Sequence, residues 1–268
     1  MIKTGSELAT ACLNVANNYK TLYVMGCFGA PMTTRNKERY TENHDYNMKA
    51  ARKKLINAAS ADTFGFDCVC LIKGLLWGWH GDTSHVYGGS DYKSNGVPDI
   101  GTESIIQVCE DVSTDFSKIA VGELLWLKGH VGIYIGDGLA VECAPSWKNC
   151  VQVTAVHNIG KKTGYNGRAW TKHGKLPYVT YDASADPVAP VAKVEGLPVL
   201  KKGSKGDSVK ALQILLNGYG CDLGSWGIDS SFGSATEAAV KRFQWEKNLE
   251  EDGVVGPMTW AKLLGVKA

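Results

Sequence analysis

The sequence predicts an α+β chain in two parts, a larger helix-plus-antiparallel-sheet domain followed by a small three-helix domain. Three observations carry this. Apolar residues recur at helical spacing early in the chain, and strand-like alternation takes over from Glu123. A stretch rich in Ala, Val and Pro at 182–196 then precedes a segment with its own internal repeat. Helices first and a strand meander afterwards is the order of an α+β layout. A length of 268 residues suits one large or two modest domains.

Taken in order, Leu8, Cys12, Val15 and Tyr19 fall on one helical stripe. Val24 to Thr34 reads as turn-rich, with Gly26, Gly29 and Pro31, and the polar stretch from Arg35 to Ala59 reads as helical. Phe64-Gly65-Phe66-Asp67 then introduces the apolar run Cys68 to Trp77. Asp67 suits an N-cap, and Phe66 and Leu71 occupy the N′ and N4 positions of a hydrophobic staple. Only Lys73 is charged in that helix, so it should be buried on nearly all sides. Strands are expected at 124–127, 131–135, 139–143 and 151–156, as an antiparallel meander. Pro187 and Pro190 stiffen 182–196, which reads as a linker between domains at 1–181 and 197–268. In the last part, Asp229, Gly233, Thr236 and Val240 repeat as Asp252, Gly256, Thr259 and Leu263. Each half reads as a tight loop ending in a threonine N-cap that opens a helix. Val209, Leu212, Leu215 and Leu216 supply the helix ahead of them.

Composition excludes several classes. Apolar residues make up 44% and charged residues 21%, as in an ordinary globular protein and unlike a disordered chain, a collagen or a coiled-coil rod. The 29 basic and 27 acidic residues leave a net charge of +2, which gives no general electrostatic reason to bind nucleic acid or anionic lipid. No apolar run approaches the roughly 18 residues a membrane helix needs. Met1 to Glu7 lacks the apolar core of a signal peptide, so synthesis in a reducing compartment is expected. The eight cysteines form no CxxC pair and read mainly as small buried apolar residues. Cys143 and Cys150 are the two that could join if the protein were released outside a cell.

One constellation could carry chemistry. Cys68 falls in the first turn of its helix, where the partial positive charge favours a thiolate and unpaired N–H groups could stabilise an oxyanion. His130 opens the alternating strand His130 to Gly136, sharing one face with Gly132 and Tyr134. Strand parity tests the third member. A three-residue loop, Gly136-Asp137-Gly138 with Gly138 left-handed, would pair Ile135 with Leu139 and set Gly132 opposite Glu142, one diagonal step from His130. A two-residue loop would set Ile133 opposite Glu142 and turn Glu142 to the wrong face, so that it could not orient His130. The three-residue loop is the expectation. A zinc site from Cys68, Cys70, His80 and His85 is disfavoured, because Cys-x-Cys within one helix points the thiols apart. Trp77, Trp79 and Trp126 read as core.

At these residues the sequence resembles the NlpC-type cysteine peptidases of bacterial cell-wall hydrolysis. The family's GFDCSGL-like motif, HVGIYIG strand and third polar residue appear here as Gly65 to Leu71, His130 to Gly136, and Glu142. The resemblance implies a papain-like catalytic domain with Cys68 as nucleophile, His130 as base and Glu142 as the orienting residue. Leu22 to Gly26 is similar to the family's upstream YVWGG-like segment, which implies a substrate-lining role for Tyr23. Asp67, beside the nucleophile, is grouped with Tyr23 as substrate-binding. The usual Ser and Gly after the nucleophile are Val69 and Cys70, and the third residue is Glu rather than the commoner His. The last 70 or so residues resemble the small helical peptidoglycan-binding domain through Leu200 to Asn217, Phe232 to Gln244 and Asp252 to Trp260.

Together these resemblances imply a bacteriophage-endolysin-like layout. The enzyme would be made in the host cytoplasm without a signal peptide and act on the wall after release. The implied activity is hydrolysis of an amide bond in the peptide part of peptidoglycan, with no metal or cofactor. An endopeptidase is the first reading, an N-acetylmuramoyl-L-alanine amidase the second, and a non-enzymatic wall-binding protein the rival from another class.

Overall fold

The computed structural model describes residues 2–181, 197–247, 249 and 251–264. The chain divides into two compact units, Met1–Ala189 and Pro190–Ala268. The linker expected at 182–196 lies outside the described residues.

The first unit is α+β. Helix α1 (Gly5–Asn18) opens with a capping box, in which Thr4 and Glu7 exchange side-chain and main-chain bonds. Its buried stripe, including Leu8, Cys12 and Val15, lies against α5 and the main sheet. Two short strands follow, β1 (Thr21–Tyr23) and β2 (Phe28–Pro31). The polar stretch expected as one helix is broken into α2 (Thr34–Glu42), α3 (Asp45–Met48) and α4 (Ala50–Ala58). The breaks fall at Asn43-His44 and at Lys49, whose extended backbone ends α3 and starts α4. Strand β3 (Phe64–Phe66) completes a small sheet in the order β1-β3-β2.

Helix α5 (Cys68–Leu76) begins directly after β3 and is buried along its whole length. Lys73 stays ionisable there because its ammonium reaches Asp99 and the Ile100 carbonyl. Trp77 and Trp79 are core residues as expected, each donating its indole N–H to a carbonyl, of Val97 and Gly29 respectively. A long loop leads through the single turn α6 (Thr102–Ile105) to the main sheet.

That sheet contains β4 (Glu110–Ser113), β5 (Leu124–Leu127), β6 (His130–Gly136), β7 (Leu139–Ala144), β8 (Cys150–Val156), β9 (Gly167–Arg168) and β10 (Lys172–Lys175). The described strands run in the order β4-β10-β5-β6-β7-β8-β9. The expected meander β5 to β8 is its centre. Strands β4 and β10 extend one side, and β9 joins β8 in parallel on the other. Val131, Ile133, Ile135, Val141 and Val151 are buried, and α1 and α5 pack on this part of the sheet. Trp126 is only half-buried, with its indole N–H on the Thr102 carbonyl.

The β6–β7 turn departs from expectation in an informative way. Gly136 pairs with Leu139, so the loop is the two residues Asp137-Gly138, both left-handed (φ 49° and 70°). The register then shifts between Tyr134 and Gly136, leaving Ile135 as an extra residue before Tyr134 pairs with Ala140 and Ile133 with Val141. The loop is one residue shorter than expected and the bulge restores the count. Continuing the register sets Gly132 against Glu142, the pairing the longer loop was invoked to give. Gly136 itself is left-handed (φ 94°), which is where the bulge is absorbed.

The second unit holds α7 (Asp207–Gly218), α8 (Ser234–Glu246) and α9 (Pro257–Leu263) around a core of Leu212, Leu216, Phe232, Val240, Phe243 and Trp260. The repeat has a different cause from the one expected. Gly233 and Gly256 are the N-caps, and Thr236 and Thr259 lie inside the first turn. Two buried glutamines explain the pattern. The Gln213 amide donates to Asp229 (2.8 Å), the Ser231 carbonyl (3.1 Å) and Thr236 (3.1 Å), and its oxygen accepts from the Ser230 N–H (2.9 Å). Gln244 makes the equivalent set with Asp252 (2.8 Å), the Val254 carbonyl (3.0 Å), Thr259 (3.2 Å) and the Gly253 N–H (2.9 Å). The repeating Asp and Thr are partners of a glutamine on the preceding helix.

Candidate active site

Local sequence positions Cys68 tightly. Asp67 caps α5 through Oδ1, which accepts from the Cys70 N–H at 2.7 Å, and its Oδ2 accepts from the Gly26 N–H at 2.7 Å. Asp67, expected among substrate-binding residues, is buried and has both oxygens on main-chain donors. Its observed role is to fix the helix start and tie it to the Gly26 turn.

The main-chain N–H groups of Val131, Val69 and Cys68 itself favour the Cys68 anion. Val131 directly follows His130 on β6, and α5 packs on that strand. The ionisation state differs from the expectation. Burial pushes the Cys68 thiol up to about 12, Asp67 adds to the rise, and the three N–H groups oppose it without cancelling it. A helix N-terminus favours the anion by a modest amount, and here desolvation wins. The balance favours the protonated sulfur.

His130 and Glu142 are brought together. Glu142 Oε2 lies 2.6 Å from His130 Nε2, which leaves Nδ1 as the other ring nitrogen. Gly132, between them on the sheet face, leaves room for the Trp170 ring. A Cβ there would sit 3.1 Å from the Val141 carbonyl oxygen and 3.1 Å from the Trp170 ring. Trp170 stacks on His130 with ring centroids 5.6 Å apart and planes 13° from parallel. The Glu142 side chain is fully buried. Burial opposes its ionisation, but the His130 bond, the Arg168 charge and the Thr154 hydroxyl hold it below the usual carboxylate range.

Tyr23 sits at the end of β1 next to this junction. Burial pushes its phenol up, and Cys68 and Asp67 are the nearest groups adding to the rise. Its ring meets Tyr46 edge-on at 5.8 Å, and the Arg52 guanidinium lies 5.7 Å from its centroid. Val69 and Cys70 are both buried. Cys143 is a free thiol that donates to the Phe66 carbonyl, so it is not joined to Cys150. Among the described residues no group of three or more His, Cys, Asp or Glu side chains could hold a metal ion, and no helix is long and apolar enough to cross a membrane.

Sequence reasoning missed Thr154, Arg168 and Trp170. Thr154 lies opposite Ala140 on β8 and bonds Glu142 diagonally at 2.7 Å, so hairpin parity could have found it. Arg168 arrives on a two-residue parallel strand after an irregular loop, and no sequence signal announces it.

Residues 205–263 match the peptidoglycan binding domain family. The zinc D-Ala-D-Ala carboxypeptidase of Streptomyces albus G is 41% identical over 87 residues, 32% of this chain and 34% of that one. An N-acetylmuramoyl-L-alanine amidase of Bacillus licheniformis is 40% identical over 70 residues, 26% of this chain and 19% of that one. Among solved structures, the Burkholderia AP3 phage endolysin shares 38% identity over 26% of each chain, with a TM-score of 0.25. The chain thus spans well under two thirds of these relatives. What these findings establish is that the second unit carries a domain of the peptidoglycan binding family.

Proposed function

We propose that the protein is a peptidoglycan hydrolase that cleaves an amide bond in the wall peptide, with Cys68 as nucleophile, His130 as general base and acid, and Glu142 as the residue that orients the imidazole. The observation that carries the reading is the His130–Glu142 bond, at 2.6 Å, on the strand against which the Cys68 helix packs. The matched domain at 205–263 supports peptidoglycan as the partner.

Because the balance favours the protonated sulfur, the reaction begins with proton transfer to His130 as the sulfur attacks the carbonyl carbon. The Cys68 main-chain N–H, with the Tyr23 hydroxyl beside it, donates to the developing oxyanion. His130 passes its proton to the leaving amine, the C–N bond breaks and a thioester remains. Water then attacks the thioester and gives a proton to His130, the C–S bond breaks to release the acid, and His130 returns that proton to the Cys68 sulfur. Tyr23 lines the acyl site in this reading. The second unit contributes local concentration on an insoluble substrate.

Cys68→Ala is expected to abolish clearance of purified cell walls and to leave sedimentation with those walls unchanged. Lysis by that variant would refute the nucleophile assignment, and a wild type that sediments without lysing would favour the wall-binding reading. Mass spectrometry of digested walls separates endopeptidase from amidase. The former leaves new termini within the peptide, and the latter frees the peptide from muramic acid. The similarity to the Bacillus licheniformis amidase is the specific reason to keep the second outcome.

A further inference from the structure

We propose that Arg168 is the counter-ion and positioning residue for Glu142, an inference that rests on the hydrolase reading above. Four donors surround the buried carboxylate. Oε2 takes His130 Nε2 at 2.6 Å and an Arg168 terminal nitrogen at 2.8 Å. Oε1 takes the Thr154 hydroxyl at 2.7 Å and Arg168 Nε at 3.1 Å. An ionised carboxylate offers about four lone-pair sites, so the set is saturated and the carboxyl cannot rotate without losing bonds. Arg168 provides one hydrogen bond through Nε and an ion-pair contact through a terminal nitrogen, one to each carboxylate oxygen.

The Arg168 side chain is itself held. The Arg168 guanidinium lies 4.8 Å from the Trp147 ring centroid and 5.7 Å from that of Trp170. Trp170 also stacks on His130, so one indole backs both the base and the cation. Strand β9 is brought in by Gly167, where a Cβ would lie 2.5 Å from the Ala155 carbonyl oxygen. That contact lets Val156 and Arg168 pair at the sheet edge.

The chemical need follows from charge. A fully buried glutamate beside a histidine must be neutralised, by taking a proton, by holding the imidazole protonated, or by a separate cation. The first removes the acceptor that orients His130. The second removes the base that must take the Cys68 proton. Arg168 supplies the third and leaves His130 free to gain and lose its proton. The titratable and charged groups facing Glu142 are His130 from β6, Arg168 from β9 and the adjacent Cys143 thiol on β7. Strand β8 presents the neutral Thr154 and Gln152.

The test uses the full chain with Arg168→Gln and Arg168→Lys, each checked for fold by circular dichroism. The Glu142 carboxyl is followed by carbon NMR of glutamate-labelled protein and assigned with Glu142→Gln. In Arg168→Gln the carboxyl should titrate at higher pH than in the wild type. The acid limb of wall clearance should move up with it, and the rate at neutral pH should fall about tenfold or more. Arg168→Lys should recover part of both, and sedimentation with walls should not change. An unmoved carboxyl titration in Arg168→Gln overturns the proposal, as does a wild-type rate and pH profile in that variant. If Arg168→Gln does not fold, a carboxyl in Arg168→Lys that titrates as in the wild type, with unchanged clearance, overturns it equally. Should even the wild type fail to clear walls, the hydrolase reading falls, while the carboxyl titration still decides whether Arg168 is the counter-ion.

Discussion

Alkylation of Cys68 as a function of pH tests the ionisation argument directly. The perturbation is pH alone, with iodoacetamide as the probe. Burial and Asp67 carry the thiol from an ordinary 9.0 to about 12. At pH 8 the thiolate fraction is then about 10⁻⁴, against about 10⁻¹ for an unperturbed thiol. Only the thiolate reacts, so Cys68 should be modified about a thousandfold more slowly than a free cysteine at that pH. The rate should rise about tenfold per pH unit from 6 to 11. Peptide mapping with fragmentation separates Cys68 from Cys70. A preformed thiolate–imidazolium pair would instead give fast modification that is flat from mildly acid pH upward. That plateau would refute the claim that desolvation outweighs the helix N-terminus, and with it the order of steps that begins with a thiol.

Three further expectations follow from named contacts. Gly132→Ala puts a methyl against the Trp170 ring and the Val141 carbonyl, both 3.1 Å away. The few tenths of an ångström by which that ring must give should slow wall clearance by well under the roughly 100-fold of a 1 Å misplacement, with the fold retained by circular dichroism. Gln244→Ala strands the Gly253 N–H and takes one partner each from the Val254 carbonyl and Thr259, which keep their bond to each other. It should cost about 2–4 kcal/mol by chemical denaturation, with Gln213→Ala giving a similar loss. The buried pair His173–Glu123, away from the proposed site, should matter for stability only. Burial works against the charged imidazole, but the Glu123 and Asp115 bonds raise His173 above 6.5. The stability this lends is full below 6.5 and is lost as pH rises through the raised value. A midpoint temperature that falls over that range in the wild type and not in His173→Gln is the outcome that checks it.

Much of the proposed site could be read from short-range rules. A cap, a staple and an apolar run placed Cys68 at a helix start, and period-two alternation put His130 and Gly132 on one face. Glu142 came from parity. The parity argument reached the right partner through the wrong loop, because a shorter turn and a bulge at Ile135 sum to the same register. Sequence cannot separate those solutions when Gly136, Asp137 and Gly138 all tolerate left-handed backbone. The thiol's ionisation was misjudged because a helix terminus is visible in a sequence and desolvation is not. Strands β1, β2, β3, β4, β9 and β10 were missed for their length and non-local pairing. The glutamines of the second unit went unread because their partners lie 15 to 23 residues ahead for the threonines, a distance at which no local pattern applies.

Those two glutamines bear on how the second unit is assembled. Helix α7 grips the loop that launches α8, and α8 grips the loop that launches α9. The middle helix is at once a holder and the thing held, so the order is passed along like links in a bicycle chain. The last link also closes on the first, because Val255 pairs with Leu200 and Trp260 donates to the Pro198 carbonyl.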